Sequence, residues 1–254
     1  MSGGGGVKPR RAAKGGGARP WRRRIARIAL AAVLVLLLLP PLQVLAVRWF
    51  DPPITGIELQ RRVESWRSGA GSGGVSRAPL PIEQIPRYYL RCVVTAEDSR
   101  FLAHRGFDWR EMREAAARAK RTGRPARGAS TITMQCARTL FLWQGRSWIR
   151  KGLEAYYTLW MEWLLPKRRI LELYLNQIEM GKGIYGIGAA ARHHYGREPW
   201  ELAKSQQAML AALLPAPRTW NPRAPSVRLR WRQNLIRARE PMLVFPPWGR
   251  GAEG

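Results

Sequence analysis

Residues 28–47, IALAAVLVLLLLPPLQVLAV, carry no charge between Arg27 and Arg48. A helix of twenty residues, at about 1.5 Å each, spans roughly 30 Å, the thickness of a bilayer's hydrocarbon core. Within lipid a lone segment satisfies its own backbone only as a helix, so this run reads as a transmembrane anchor. Pro40 and Pro41 should kink it. A cleaved signal peptide is the alternative, and Val44, Leu45 and Ala46 would suit a processing site. The run nevertheless exceeds the usual signal core of about 7 to 15 residues, which favours a retained anchor. Nine Lys and Arg residues precede residue 28, whereas no acidic residue occurs before Asp51. That bias holds residues 1–27 in the cytoplasm and exports everything from Arg48 onward.

Topology changes the meaning of the net charge of +27. So basic a chain ordinarily points to nucleic acid, but nucleic acid lies on the other side of the membrane. Setting the nine tail residues aside leaves 35 basic and 17 acidic residues, a surplus of 18 that calls for an extracytoplasmic anion. Phospholipid headgroups and a phosphorylated substrate both qualify. An oxidising compartment allows a disulfide between Cys92 and Cys136, but both sit in apolar surroundings and read as buried free thiols. His104, His193 and His194 show no metal-ligand spacing, so no zinc site is expected.

Residues 48–84 form a connecting segment broken by DPPITG, SGAGSGG and APLP, with a short helix between Ile57 and Trp66. A domain follows over residues 85–240, then a tail over 241–254. Helical periodicity runs from Ile85 to about Leu102 and returns in RGASTITMQCARTLFLW, SWIRKGLEAYYTLWMEWLL, KRRILELYLNQI, GIGAAARHHYG and AKSQQAMLAALLPAP. Strand signals are weak, so the fold class is mainly α.

Three stretches carry chemistry. Glu97, Phe101 and His104 fall at i, i+4 and i+7 and would share one helical face, where an apolar neighbour raises a carboxyl toward a useful base. Ser130 is placed to cap the next helix, whose N-terminus would suit an anion. On that helix Thr131, Gln135 and Arg138 share one face, and Ile132, Cys136 and Leu140 another. Arg146, Arg150, Lys151 and Glu154 precede a Trp- and Tyr-rich helix, and Arg150 with Glu154 also fits a surface ion pair. Two separated carboxylates among cations suit chemistry at an anomeric carbon. From spacing alone, an exposed glutamate and an ordinary capped surface helix also fit.

Taken together, EDSRFLAHRGFD, GASTITMQCARTL, GRSWIRKGLEA, KRRILELYLNQIEMGKGIYGIGAAARHHYG and AMLAALLPAPRTWNP resemble, in order and spacing, the five motifs of the peptidoglycan glycosyltransferases, glycosyltransferase family 51. The resemblance covers roughly residues 85–222. No room for a transpeptidase domain follows, so a monofunctional member is expected. The resemblance implies a mainly α, lysozyme-like glycosyltransferase domain with head and jaw lobes, behind one N-terminal transmembrane helix.

The implied reaction joins the lipid-pyrophosphate-linked glycan to the GlcNAc 4-hydroxyl of lipid II, with inversion at C1 and loss of the pyrophosphate. By resemblance Glu97 is the general base, and Glu154 assists the leaving group. Asp98, Phe101 and His104 accompany Glu97 in the first motif as substrate-site residues. Ser130, Thr131, Gln135 and Arg138 belong to the second, where Arg138 stands in for a frequent Lys. Arg146, Arg150 and Lys151 belong to the third and neutralise the pyrophosphate with Arg138. Asn176 is the fourth motif's polar candidate, and Gly181 and Gly186 are structural. His194 stands where a Tyr is expected.

No cofactor is required, although a divalent cation, Mg or Mn, could assist at the pyrophosphate. The implied partners are lipid II, the growing strand, the inner membrane and other cell-wall synthases. The expected location is the bacterial inner membrane, with the catalytic domain periplasmic. Trp143, Trp148, Trp160 and Trp163 are either interfacial or core. A lysozyme-like lytic glycosidase is the enzymatic alternative, and a basic scaffold without catalysis the other. Hydrolysis of a neutral glycan gives the cationic motifs nothing to hold, which favours transfer.

Overall fold

The computed structural model describes residues 3, 20–69, 74–123, 128–145 and 147–251. Two compact units divide the chain, residues 1–39 and residues 40–254. Helix α1, Pro20–Val47, contains the apolar run, and its stretch Trp21–Val47 is long and apolar enough to cross a membrane, with a mean hydropathy of 2.6 over an 18-residue window. Residues 21–39 are exposed throughout, as a lipid-facing segment requires.

The last two turns of α1 belong to the second unit. Val44 and Val47 are buried, Tyr157 Oη donates to Gln43 Oε1, and Arg169 Nε donates to the Val47 carbonyl at 3.0 Å. Hydropathy alone assigned this stretch to lipid; here part of it serves a protein core.

The second unit is mainly helical: α2 Gly56–Arg67, α3 Arg87–Glu97, α4 Trp109–Thr122, α5 Ile132–Phe141, α6 Trp148–Leu164, α7 Lys167–Gln177, α8 Gly186–Tyr195, α9 Lys204–Leu213 and α10 Val227–Arg239. One small sheet interrupts them, in the order β1 (Ser76–Arg77), β3 (Ile184–Tyr185), β2 (Glu179–Gly181), with β3 parallel to β1 and antiparallel to β2. Helix α7 is the centre of the core, because Ile170, Leu171, Leu173, Tyr174 and Leu175 are fully buried and cover more than half of its circumference. Helix α5 packs between α6, α7 and α2, while α3 packs on α9 and α10. Gly186 makes the turn from β3 into α8 at φ +78°, where a Cβ would lie 2.5 Å from the Asn176 carbonyl oxygen.

Three local expectations are corrected. Helix α3 ends at Glu97, not near Leu102, because Asp98 leaves the helical region at φ −163°, ψ 74°. Phe101 and His104 therefore share no helix face with Glu97. Helices α4 and α10 are absent from the expected helices: α4 buries only Ala115, and α10 only Leu229 and Ile236. Their caps are clear in retrospect, since Asp108 accepts from Arg110 N–H at 3.1 Å and Glu111 N–H at 3.0 Å, and Ser226 accepts from Leu229 N–H at 3.3 Å. Finally, Thr131 rather than Ser130 caps α5, accepting from Met134 N–H at 3.2 Å.

Candidate active site

Glu97 occupies the last turn of α3 with its side chain 14% exposed. Arg232 Nη2, from α10, donates to Oε1 at 2.7 Å, and Gln135 Nε2, from α5, donates to Oε2 at 3.1 Å. Burial pushes this carboxyl above the ordinary carboxylate range, and Arg232, Gln135 and Arg138 pull it back. The outcome is a shielded carboxylate with one solvent-facing side, the environment a general base needs. Tyr174 Oη donates to Gln135 Oε1 at 3.1 Å, which fixes the amide end presented to Glu97.

Arg232 was not found from the sequence. It lies beyond the five motifs, on a helix without apolar periodicity, among five arginines of equal local appearance.

The companions of Glu97 in its motif turn inward. Both Asp98 oxygens lie within hydrogen-bond distance of His104 Nε2, at 2.9 and 3.0 Å, and Oδ2 also accepts Ile132 N–H at 2.9 Å. The first amide of α5 thus has its own carboxylate within the protein. Thr131 Oγ1 donates to the Gly106 carbonyl at 2.6 Å. Ser130 is half-buried beside it, its carbonyl accepting from Gln135 Nε2 at 3.5 Å. Phe101 is fully buried, with Lys167 Nζ 4.5 Å from its ring centroid.

Asp98, His104 and Asp108 bring one ligand atom each within 4.8 Å of one another, a grouping their spacing did not reveal. Asp108 is committed to two backbone N–H groups and Asp98 to α5, while the Arg100 guanidinium stands 3.5 Å from Asp108. These contacts tie Asp98 to His104 and α5, and Asp108 to the start of α4.

Glu154, on α6, is fully buried, and its two oxygens accept from Arg150 Nη1 and Lys151 Nζ. Arg150 Nε also donates to the Gly145 carbonyl at 2.8 Å, tying the α6 start to the preceding turn. The predicted ion pair forms, but inside the protein. With a cation on each oxygen, Glu154 does not fit a divalent ion held there. Arg146 lies outside the described residues.

Gln135 and Arg138 line a cleft of about 360 Å³ together with Arg61, Glu179 and Arg218. Arg138 Nε is buried without a hydrogen-bond partner among the described residues. The predicted polar face of α5 therefore serves two purposes: Gln135 touches Glu97, and Arg138, one turn on, presents positive charge to the cleft. Asn176 clamps the main chain instead, accepting Leu80 N–H at 3.0 Å and donating to the Leu80 carbonyl at 2.8 Å. His194 Nε2 lies 3.0 Å from the Met180 carbonyl oxygen, and burial lowers its pKa. Cys92 and Cys136 are free and buried, as read.

The tryptophans divide. Trp148 is 93% exposed, Trp163 75% and Trp143 42%, whereas Trp160 packs against the core. With Ile149 and Leu159, the first two leave an apolar stripe along α6 uncovered.

A family model described as Transglycosylase matches residues 67–240. A protein named biosynthetic peptidoglycan transglycosylase from Xanthomonas campestris pv. campestris is 43% identical over 231 residues, covering 90% of this chain and 94% of the relative. Proteins of the same name from Stutzerimonas stutzeri and Xylella fastidiosa are 45% identical over 194 residues and 42% over 217, covering 76% and 85% of this chain and 79% and 87% of their own. The matched region contains both glutamates, the cationic α5 and α6 and Arg232, and on this ground the chain belongs to the transglycosylase family of peptidoglycan glycosyltransferases.

Proposed function

We propose that this chain polymerises lipid II into glycan strands with Glu97 as general base. Glu97 takes the proton of the acceptor GlcNAc 4-hydroxyl as that oxygen attacks C1 of the donor MurNAc. The C1–oxygen bond to the pyrophosphate breaks on the opposite face, which inverts the anomeric centre. The departing pyrophosphate gains negative charge, and Arg138 meets it, supported by the cations at the start of α6. Preorganised charge of this kind stabilises the transition state without reorganisation during the reaction. Glu154 acts indirectly, by holding Arg150 and Lys151 in place. The observation that carries the reading is the convergence of Arg232 and Gln135 on one shielded carboxylate, with Arg138 one turn further along α5.

The membrane side of the proposal rests on α1 and on the uncovered stripe of α6. The anchor holds the enzyme where its lipid-linked substrate resides, with the basic tail cytoplasmic and the catalytic unit periplasmic. Trp148 and Trp163 then sit at the interface that such side chains favour.

Purified protein incubated with labelled lipid II tests the reading. Wild type should yield polymer, and Glu97→Gln should lose about 10² to 10⁴ in rate. Release of disaccharide would indicate a lytic enzyme, and near-normal polymerisation by Glu97→Gln would remove it from the mechanism.

A further inference from the structure

The cleft lined by Gln135 and Arg138 carries two further cations on its wall. Arg61 reaches it from α2, a residue ahead of the matched region 67–240, and Arg218 reaches it from the turn after α9. Both hold the same carboxylate: Arg61 Nη2 lies 3.3 Å from Glu179 Oε2, and Arg218 Nε 3.5 Å from Glu179 Oε1. Arg61 also bonds Glu64 at 3.0 Å, outside the cleft lining. Thus three guanidiniums, those of Arg61, Arg138 and Arg218, face the cleft against one lining carboxylate. Arg61 Nε, like Arg138 Nε, is buried without a hydrogen-bond partner among the described residues. Buried donors without acceptors are costly unless a ligand supplies the acceptors.

The chemistry that fits is a group with several anionic oxygens. Guanidinium pairs with such oxygens through parallel N–H bonds, which gives both strength and direction. The distances to Glu179 are long for that kind of pair, and Arg218 keeps 40% of its side chain exposed, so both arginines can turn toward a better acceptor.

We propose that Arg61 and Arg218 form, with Arg138, the wall that binds the pyrophosphate of the lipid-linked substrate, and that Glu179 is a stand-in anion holding the two arginines until the phosphates arrive. This rests on the polymerisation reading and extends it to Arg61, outside the recognised motifs, and to Glu179 and Arg218, motif positions to which no role was assigned. The opposite signs of the arginine and glutamate effects separate it from a merely structural role. Neutralising either arginine removes an acceptor's partner, whereas neutralising Glu179 removes a competitor.

The test uses the full chain in detergent, with inorganic pyrophosphate as a direct ligand measured by calorimetry and lipid II as the substrate for turnover. Arg61→Gln and Arg218→Gln should each weaken pyrophosphate binding roughly tenfold and raise KM for lipid II more than they lower kcat. Glu179→Gln should tighten pyrophosphate binding. Binding to phosphatidylglycerol vesicles should be unchanged in all three.

Weaker binding by Glu179→Gln, in the same direction as the arginine variants, would overturn the proposal. Unchanged pyrophosphate affinity in Arg218→Gln would do the same, as would a loss confined to vesicle binding, which would assign the wall to lipid headgroups. If Arg61→Gln fails to fold, Arg218→Gln and Glu179→Gln still decide. Pyrophosphate binding needs no turnover, so this result stands apart from the outcome at Glu97.

Discussion

Replacing Arg232 with Met should move the pH dependence of catalysis while leaving the chemistry intact. Arg232 sits 2.7 Å from Glu97 Oε1, with both side chains largely shielded, at 24% and 14% exposed. An opposite charge this close lowers a carboxyl pKa by about 1 to 3 units, and each unit corresponds to about 1.4 kcal/mol. Burial already holds Glu97 above the ordinary range, so deleting the cation leaves burial opposed only by Gln135 and the more distant Arg138. The base must be ionised to accept the 4-hydroxyl proton. The acid limb of kcat/KM for lipid II should therefore move to higher pH, with turnover recovering at alkaline pH. Arg232→Lys keeps the charge without the planar fork and should shift the limb less. Initial rates of polymerisation across pH 5 to about 10, with unfolding monitored at each end, supply the profile. A uniform loss at every pH, with the acid limb in place, would refute the electrostatic role and leave Arg232 a packing residue.

Glu97→Gln should be inactive yet more stable than wild type. A carboxyl whose folded pKa is raised stabilises the fold fully below its unfolded pKa, and that contribution is lost as pH rises through the folded value. The gain in Tm on mutation should accordingly be larger at pH 8 than at pH 5, and a Tm difference independent of pH would contradict it. A chain beginning at residue 40 should keep the catalytic unit whole, whereas one beginning at residue 48 loses the buried Val44 and Val47, each worth about 1.5 to 3 kcal/mol. Thermal denaturation in detergent should show the lower Tm for the shorter chain. Trp148→Ala combined with Trp163→Ala should weaken binding to vesicles with little change in Tm, since both side chains are mostly exposed. A large fall in Tm would show that they are core.

The sequence made plain whatever depends on one element's own periodicity. The uncharged run before Arg48 was legible because lipid imposes a single requirement along its length, and the two faces of α5 because burial of Ile132, Cys136 and Leu140 leaves Gln135 and Arg138 opposite. What escaped depends on contacts between distant segments. Helix α3 stops at Glu97 because Asp98 is drawn to an N–H group of α5, a partner no local window contains. Arg232 resembles its arginine neighbours until α10 is packed on α3. Glu154 reads as a surface pair because the i, i+4 rule is indifferent to depth. Val44 and Val47 satisfy lipid and core equally well as apolar residues, so hydropathy cannot divide α1 where the fold does.

The bond from Asp98 to the first amide of α5 acts as a gauge. Glu97, the proposed base, is the residue before Asp98, and Arg138 stands six residues after Ile132, roughly 9 Å further along the helix axis. The interval between proton acceptor and phosphate-facing cation is therefore set by helical rise, and not by the 34 positions separating Asp98 from Ile132 along the chain. Helix α4, which buries only Ala115, lies within that stretch. Its length and composition can drift between relatives without detuning the interval, provided the carboxylate still meets the amide.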